Sequence, residues 1–600
     1  MSATTDKNKL EKWLTDIKLG VKYKEKTSGC KHWKTYKDYY RGNYEDDENP
    51  LHNMVVINRV FSYIKSAIPR VYFRSPAINI TARRPEFSGH ARVVEALDNW
   101  LIPETGLKQT LKSAILDAFL CGIGIIKLGY DSEFGYNPEQ VVDKNSGTVT
   151  QVGTKTADKV EYNTTIRPGM PWAARIKPED FITPWGYDDP RDLPWCAQIV
   201  IRPLEDVKED QKYDRAKTKD LKGGLTLPYD KVKTHSLWNH LAEDNVYCLL
   251  YEITDYKRKR RIVICEDQIL MDIEDPLQID GLPYEFIIFN EDPDNFWPIS
   301  DVKMLEPQQL ELNEIRSYAK KQRRFNLIKF LFQKGTITPE QLDNLLSDNI
   351  EDTGCGIEIE GDSLQSAVLP LQPHNLTMDL IREQQQTDSD MREVMGFSEN
   401  QAGSYVPKTN STATEAEIVQ EASSIRSDER RDIVADTLTN IVRKFNQFIF
   451  TYWDTEQVVE VAGVAGAKYW VKYTGPELRA EYTMIVSPES GQPVTRAMKQ
   501  QMAQQLFTNF GQDPFIDPIL LRRQLLRQTD LIDPEYEDML RVPPEYAMME
   551  AQKEMMLGMN QGQPITLAQL AQMPTVNQQI AAMMAQQQPQ PAQQTSGSEA

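Results

Sequence analysis

The chemistry most open to this sequence is the binding of an anion by basic side chains on one predicted helix. Between Glu314 and Glu340 there is no acidic residue, although the whole chain has a formal net charge of −20. At about 100° per residue, four basic side chains of this interval share one helix face. They are Arg316, Lys320, Arg323 and Lys334, and Arg324 falls in the same interval. Such a stripe favours an anionic neighbour.

The segment after this helix is rich in carboxylates. Between residues 335 and 372 they include Asp348, Glu351, Asp352 and Glu358. In a symmetric ring, this acidic segment of one subunit could face the basic helix of the next subunit. The residues alone leave three interpretations open: pairing between subunits, direct contact with passing DNA, and a solvated face that contacts only water.

Three glycines on a strand-like run raise the question of a nucleotide site. They are Gly122, Gly124 and Gly129, but Lys127 stands where a dinucleotide fingerprint needs glycine. A close-packed strand is the favoured interpretation. The segment GVAGAK, which begins at Gly463, lacks the loop length and the Ser/Thr of a P-loop and indicates a hairpin turn.

No other group of residues predicts catalysis. His235 and His240 lack further metal ligands nearby. The acidic groups in YEDDEN, YDDPRD and NEDPDN lack the spacing of a calcium loop and indicate solvated turns. No Ser/His/Asp or Cys/His set stands out. The sequence therefore predicts no catalytic residue, no cofactor and no metal ion, and we do not expect an enzyme.

Composition limits the classes of protein that remain. Six hundred residues with 40% hydrophobic content predict several structural units, and the net negative charge argues against a large non-specific basic footprint for DNA. Six scattered cysteines without a C-x-x-C pair indicate reduced thiols in a cytosolic setting. Neither a secretion signal nor a membrane span is indicated.

Periodicity predicts a mixed order of elements. The segments VYCLLYEI and RIVICEDQIL, joined by TDYKRKR, predict an antiparallel hairpin. A helix of about 40 Å is predicted over residues 307–332, with Pro307 either in its first turn or kinking a helix that begins nearer Ser300. A compact insert and a second helix at residues 376–395 follow. From Thr412, a capping box and one continuous apolar face predict the longest helix.

Four segments, in this order, resemble the portal proteins of tailed bacteriophages. They are NRVFSYIKSAIPRVYFRSPAINI, WAARIKPEDFITPWG, PYEFIIFNEDPDNFWPISDVKMLEPQQLELNEIRS and NSTATEAEIVQEASSIRSDERR. The last two are the more specific, and together the segments span roughly residues 55–450. A portal is the ring at one capsid vertex through which DNA is packaged and ejected.

The resemblance implies an α+β subunit with a mixed α/β wing, two stem helices, a small α/β clip, a long wing helix and a helical crown. The implied ranges are 1–300 for the wing with its helices and antiparallel strands, 301–334 for stem helix 1, 335–372 for the clip, 373–395 for stem helix 2, 396–411 for the tunnel loop, 412–455 for the long helix, 456–490 for wing strands, 491–557 for the crown helices and 558–600 for a low-complexity Gln-rich tail. Within the tunnel loop, Tyr405, Lys408 and Asn410 would lie nearest the DNA.

The resemblance also implies partners and a location. The expected assembly is a homo-oligomeric ring of twelve subunits in the virion, formed in the host cytoplasm. Its partners would be the terminase large subunit, capsid and scaffolding proteins, tail adaptor proteins, and double-stranded DNA that passes non-specifically, with no membrane involved. The basic stripe keeps a DNA-processing enzyme open as an alternative, and another connector or minor capsid protein is a nearer competitor.

Overall fold

A computed structural model describes the chain in eighteen stretches. They are residues 2–27, 30–44, 54–72, 76–130, 140–142, 149–151, 170–210, 212–223, 247–277, 279–325, 329–332, 368–371, 377–396, 413–453, 457–462, 468–487, 508 and 565–566.

Helices and strands are mixed along the described residues, as the sequence predicts. The α-helices are α1 (Ser2–Lys26), α2 (Trp33–Arg41), α3 (Arg59–Val71), α4 (Ser88–Glu104), α5 (Leu107–Cys121), α6 (Leu204–Glu209), α7 (Arg215–Thr218), α8 (Asp301–Phe325), α9 (Thr377–Met395) and α10 (Ala413–Tyr452). The strands are β1 (Ala77–Ala82), β2 (Ile123–Tyr130), β3 (Gln140–Val142), β4 (Val149–Gln151), β5 (Pro171–Ile176), β6 (Phe181–Ile182), β7 (Trp195–Pro203), β8 (Tyr247–Asp255), β9 (Arg260–Cys265), β10 (Gln268–Glu274), β11 (Tyr284–Ile288), β12 (Lys329–Phe332), β13 (Val368–Leu371), β14 (Gln457–Ala462), β15 (Lys468–Tyr473), β16 (Tyr482–Ser487) and β17 (Ile565–Thr566).

The chain divides into two structural units. Unit 1 comprises Met1–Lys31, Ala67–Ile299 and Arg426–Ala600. Unit 2 comprises His32–Ser66 and Ser300–Ile425.

The largest sheet of unit 1 has five antiparallel strands in the order β10-β9-β8-β7-β6. The predicted hairpin is confirmed, since β8 pairs antiparallel with β9. Helix α1 packs on this sheet through Trp13, Ile17 and Val21, which share a buried cluster with Ile253 and Ile262. The spacing of four residues puts the three α1 side chains on one face of the helix.

A three-stranded antiparallel sheet of unit 1, in the order β11-β2-β5, carries the glycine-rich run. A Cβ at Gly124 would lie 2.2 Å from the carbonyl oxygen of Ala114 in α5. A Cβ at Gly129 would lie equally close, at 2.2 Å, to the indole of Trp172. Close packing explains these two glycines, which agrees with the interpretation favoured by the sequence.

The long helix α10 buries one apolar face within unit 1. The fully or almost fully buried side chains of this face are Val434, Leu438, Ile441, Phe445 and Phe448. They follow the spacing from which the sequence predicts a helix over residues 412–455. The observed helix begins at Ala413 and ends at Tyr452.

The helix that periodicity predicts over residues 307–332 is too long at its C-terminal end. Helix α8 ends at Phe325, and residues 329–332 form β12, antiparallel to β13. The sequence KFLF is rich in aromatic and apolar residues that favour a strand, and β13 pairs with its backbone N–H and C=O groups. Lys334 lies outside the described residues.

Prolines do not end the helices where the sequence suggests. The sequence predicts a helix from Asn58 to Ile68 that Pro69 closes, but helix α3 continues past Pro69 to Val71. Helix α8 begins at Asp301 and contains Pro307, so the earlier of the two predicted starts is observed.

Several predicted regions lie largely outside the described residues. They are the tunnel loop apart from Gly396, the clip apart from 368–371, the crown helices apart from 508 and the Gln-rich tail apart from 565–566. Among the helices that the structure describes, none is both long enough and apolar enough to cross a membrane.

Candidate functional site

The candidate site is the pair of helices α8 and α9 in unit 2, because α8 carries the basic stripe. Helix α8 begins where Ser300 Oγ accepts a hydrogen bond from the backbone N–H of Lys303 at 3.1 Å. This is the contact of an N-cap residue. Asp301 in the first turn adds a negative charge at the positive end of the helix dipole.

Polar side chains on one face of α8 hold the extended segment that precedes α3. Gln309 Oε1 accepts from the backbone N–H of Arg59 at 3.0 Å, and its Nε2 donates to Ile57 O at 2.7 Å. Asn313 Oδ1 accepts from the backbone N–H of Ile57 at 3.0 Å. Ser317 Oγ accepts a fourth hydrogen bond, from the backbone N–H of Val55 at 2.8 Å. Gln309 and Asn313 are fully buried, so these bonds satisfy backbone groups that would otherwise lack partners.

Helix α9 is joined to the same segment by an ion pair. Asp388 Oδ1 lies 2.8 Å from Arg59 Nε, and Asp388 Oδ2 accepts from Arg59 Nη2 at 3.1 Å. Only the contact of Arg59 Nη2 has the geometry of a hydrogen bond, and it is assisted by the charges of both groups. The Tyr63 hydroxyl donates to the Asp388 carbonyl at 3.5 Å, and burial raises the pKa of Tyr63 to about 12. Arg59 thus contacts α9 through its side chain and α8 through its backbone.

The basic stripe continues the packing face of α8. Gln309, Arg316, Lys320 and Arg323 follow one another at spacings of seven, four and three residues, which places them on one side of the helix. Arg316 is half-buried, and its Nη1 donates to Gln384 Oε1 of α9 at 3.0 Å. Lys320 is half-buried and Arg323 is exposed. The stripe therefore begins against α9 and ends in solvent.

The outer members of the stripe have no ion-pair partner among the residues that the structure describes. This holds for Lys320 and Arg323, and for Lys321 beside them. Arg323 Nε donates only to Ala319 O of its own helix, at 3.4 Å.

The opposite face of α8 carries exposed apolar side chains, which charge patterning alone does not reveal. Met304, Leu310 and Tyr318 are 38%, 41% and 63% exposed. Glu311 and Glu314 are exposed on the same side. Apolar residues of an amphipathic helix are normally assigned to the core, so they attract no functional interpretation. The sequence does indicate this exposure, because Leu310 and Tyr318 do not lie on the same helix face as the apolar residues that pack in the core.

The remaining predicted site residues have no described side-chain environment. They are Arg324, Lys334, Asp348, Glu351, Asp352, Glu358, Tyr405, Lys408 and Asn410. Their grouping into a basic face, an acidic clip face and a DNA-proximal loop stays a prediction.

Two of the predicted acidic turns are closed by their own hydrogen bonds. Asp189 Oδ1 accepts from the backbone N–H of Arg191 at 2.8 Å, and Asp292 Oδ1 accepts from that of Asp294 at 3.1 Å. Such bonds are typical of turns that stabilise their own backbone. This supports the interpretation as solvated turns. His235 and His240 lie outside the described residues.

Comparisons with known proteins give one sequence match and several structural likenesses. Residues 250–527 match the family model described as "Phage SU10 portal protein". Among solved structures, "Virion of native gene transfer agent (GTA) particle" is 10% identical with a TM-score of 0.35, over 82% of this chain and 93% of that chain. "Neck of empty GTA particle computed with C6 symmetry" is 11% identical with a TM-score of 0.36, over the same shares. TM-scores this low do not establish a shared fold or function. No curated protein matches the sequence.

Proposed function

We propose that the chain is a portal subunit which forms a homo-oligomeric ring at one vertex of a virion, because residues 250–527 match the phage portal family model. The family match carries this proposal, because it includes α8, β12, β13, α9 and α10 in one continuous stretch. In the proposed subunit, α8 and α9 are the stem helices, residues 335–372 the clip and 396–411 the tunnel loop. Helix α10 is then the long wing helix.

The proposed ring is a passive channel for packaging and ejection of the genome. Twelve subunits surround the channel, the terminase large subunit docks on the clip, and tail adaptor proteins take its place later. Capsid and scaffolding proteins contact the outside of the ring. The subunit needs no catalytic site, because the terminase supplies the energy for translocation.

The basic stripe has its role between subunits of this ring. Arg316 donates a hydrogen bond to Gln384 within its own chain, whereas no carboxylate among the described residues pairs with Lys320 or Arg323. The carboxylates of the neighbouring clip, Asp348 and Glu351 among them, are the proposed partners. DNA passes non-specifically, because a strongly acidic subunit lowers the affinity for phosphate.

Measurement of the assembled mass tests the proposal. Twelve copies of the 68.9 kDa chain weigh about 830 kDa, which mass photometry separates clearly from a monomer. Negative-stain images of the same sample should show rings with a central hole. A chain that stays monomeric under every assembly condition would count decisively against a portal.

A second measurement separates the channel from a DNA-processing enzyme. Purified protein is incubated with ATP, or with double-stranded DNA and Mg²⁺. A portal subunit leaves both substrates unchanged. Turnover that follows the protein through purification, and depends on the metal ion, contradicts a passive channel.

A further inference from the structure

Two cysteines of unit 1 meet on neighbouring strands of the five-stranded sheet. Cys265 ends β9 opposite Leu250 of β8, so Cys248 is its diagonal neighbour, two residues along β8. Both side chains are fully buried, and both are free thiols. Two sulfur donors that are distant in sequence therefore lie side by side.

Glu266 adds an oxygen donor to the same place. In a regular strand its side chain would point away from that of Cys265, because successive side chains alternate between faces. Glu266 instead has a φ of +50° in the turn between β9 and β10. Its Oε1 accepts a hydrogen bond from the backbone N–H of Gly223 at 2.9 Å. The two Sγ atoms and a carboxylate oxygen all lie within 4.8 Å of one another.

This donor set is close to the size that a tetrahedral metal ion requires. Zn–S bonds of about 2.3 Å and Zn–O bonds of about 2.0–2.2 Å separate ligand atoms by roughly 3.5–3.8 Å. Side-chain adjustments of about 1 Å bring the three donors to that separation. Sulfur donors select zinc and other thiophilic ions over Mg²⁺ and Ca²⁺, which prefer oxygen ligands throughout.

We propose that Cys248, Cys265 and Glu266 form a binding site for a thiophilic divalent cation, with Zn²⁺ as the expected ion. On binding, each thiol releases its proton to solvent and becomes a thiolate ligand, and no atom changes its oxidation state. Glu266 is exposed, so water reaches the fourth position from its side. The hydrogen bond from Gly223 orients the carboxylate, as contacts around metal ligands commonly do.

The consequence for the fold is a link between β8, β9 and the turn that follows them. The two thiols belong to a buried cluster with Val207, Leu221 and Leu270, at the edge of which Glu266 meets solvent. An ion at this point stabilises the folded state, because the unfolded chain does not hold the donors together.

Titration of the metal-free full chain with Co²⁺ tests the site. We expect one Co²⁺ per chain, with a thiolate-to-cobalt charge-transfer band in the near ultraviolet that added Zn²⁺ abolishes. Cys248→Ser and Cys265→Ser each remove the band. The matched control is Cys196→Ser, which removes another fully buried thiol of unit 1 and leaves the band unchanged.

A milder variant covers the case in which the cysteine variants fail to fold. Glu266→Gln keeps the size of an exposed side chain, and we expect it to lower the affinity for Co²⁺ about tenfold or more with an unchanged circular dichroism spectrum. The proposal is overturned if the wild-type chain gives no thiolate band. It is equally overturned if the band survives in both cysteine variants or if Glu266→Gln binds as tightly as wild type.

Discussion

We expect a buried carboxyl group in unit 1 to make the stability of the protein depend on pH. Asp98 of α4 is 1% exposed, and its Oδ2 accepts a hydrogen bond from Asn446 Nδ2 of α10 at 2.9 Å. Burial raises the pKa of Asp98 well above its usual value, the Asn446 hydrogen bond lowers it in part, and the nearby carboxylate of Glu95 raises it further. Asp98 Oδ1 and Asn446 Oδ1 are both buried without a hydrogen-bond partner.

The sign of the effect follows from proton binding. Between the pKa of Asp98 in the unfolded chain, about 4, and its raised value in the folded chain, the folded state binds the extra proton. Stability is therefore lost as pH rises through this window. Each unit by which the folded pKa exceeds the unfolded one corresponds to about 1.4 kcal/mol.

The substitution Asp98→Asn removes the ionisable group at almost constant shape. Its amide oxygen still accepts from Asn446 Nδ2, and its amide N–H₂ is a donor for Asn446 Oδ1. We expect the variant to be at least as stable as wild type at neutral pH, and to lose the decline between pH 4 and pH 7. Asp98→Leu is the control for shape, and should cost about 1–3 kcal/mol because Asn446 is left unpaired.

The assay is urea or thermal unfolding at several pH values, followed by tryptophan fluorescence. Because the chain has more than one unit, the transition midpoint is compared rather than a two-state free energy. The difference in midpoint between Asp98→Asn and wild type should grow from pH 4 to pH 7. If the two curves run parallel over this range, Asp98 is ionised in the fold and the reasoning from burial is wrong.

Three further predictions concern helix α8, the glycine-rich strand β2 and helix α1. The triple substitution Lys320→Glu, Arg323→Glu and Arg324→Glu reverses the charge of the basic face. It should impair ring assembly, measured by mass photometry, or DNA packaging, measured by the yield of DNA-filled particles. Lys321→Glu is a matched control from another face of the same helix, and normal filled rings in the triple variant would mean that the stripe is only solvated. Gly124→Ala should lower the unfolding midpoint by the equivalent of about 1–3 kcal/mol, because its Cβ would meet Ala114 O at 2.2 Å; an unchanged midpoint would contradict the close packing. Burial lowers the pKa of Lys24 to about 8, so the unfolded chain binds more protons than the folded chain between pH 8 and pH 10.5. The stability of the wild type should therefore increase as the pH rises through this window. Lys24→Met should remove this increase, and an identical pH profile of stability in the variant would refute the prediction.

Local periodicity predicts the elements whose pattern lies within one continuous segment. The hairpin of β8 and β9 and the apolar face of α10 are of this kind, since each is defined by spacing alone. The end of α8 is not, because β12 is a strand only together with β13, and their partner residues Lys329 and Leu371 are far apart in sequence. When the partner strand is unknown, the sequence of a short apolar run such as KFLF is equally compatible with the end of a helix and with a strand.

The candidate site shows a similar limit for side chains. Spacing correctly groups Arg316, Lys320 and Arg323 on one side of a helix, but it does not tell whether that side packs or faces solvent. The answer depends on Gln309 and Asn313, polar residues that a sequence assigns to the surface. Both are buried because their side chains hydrogen-bond to the backbone of residues 57–59. That segment lies about 250 residues earlier in the chain, so local spacing does not reveal the contact.

The basic stripe consequently has two parts with different roles. Its first member, Arg316, is bound to Gln384 and contributes to the packing of α8 on α9 within one subunit. Lys320 and Arg323 extend the same face beyond that contact, where no described carboxylate pairs with them. The face therefore packs at its first end and carries unpaired charge, among the described residues, at its second end. Such a pattern is typical of a helix whose first half packs within its own chain and whose second half contacts another molecule. Loss of Arg316 should therefore weaken the subunit itself, whereas reversal of Lys320 and Arg323 should leave the subunit folded and act on the assembly.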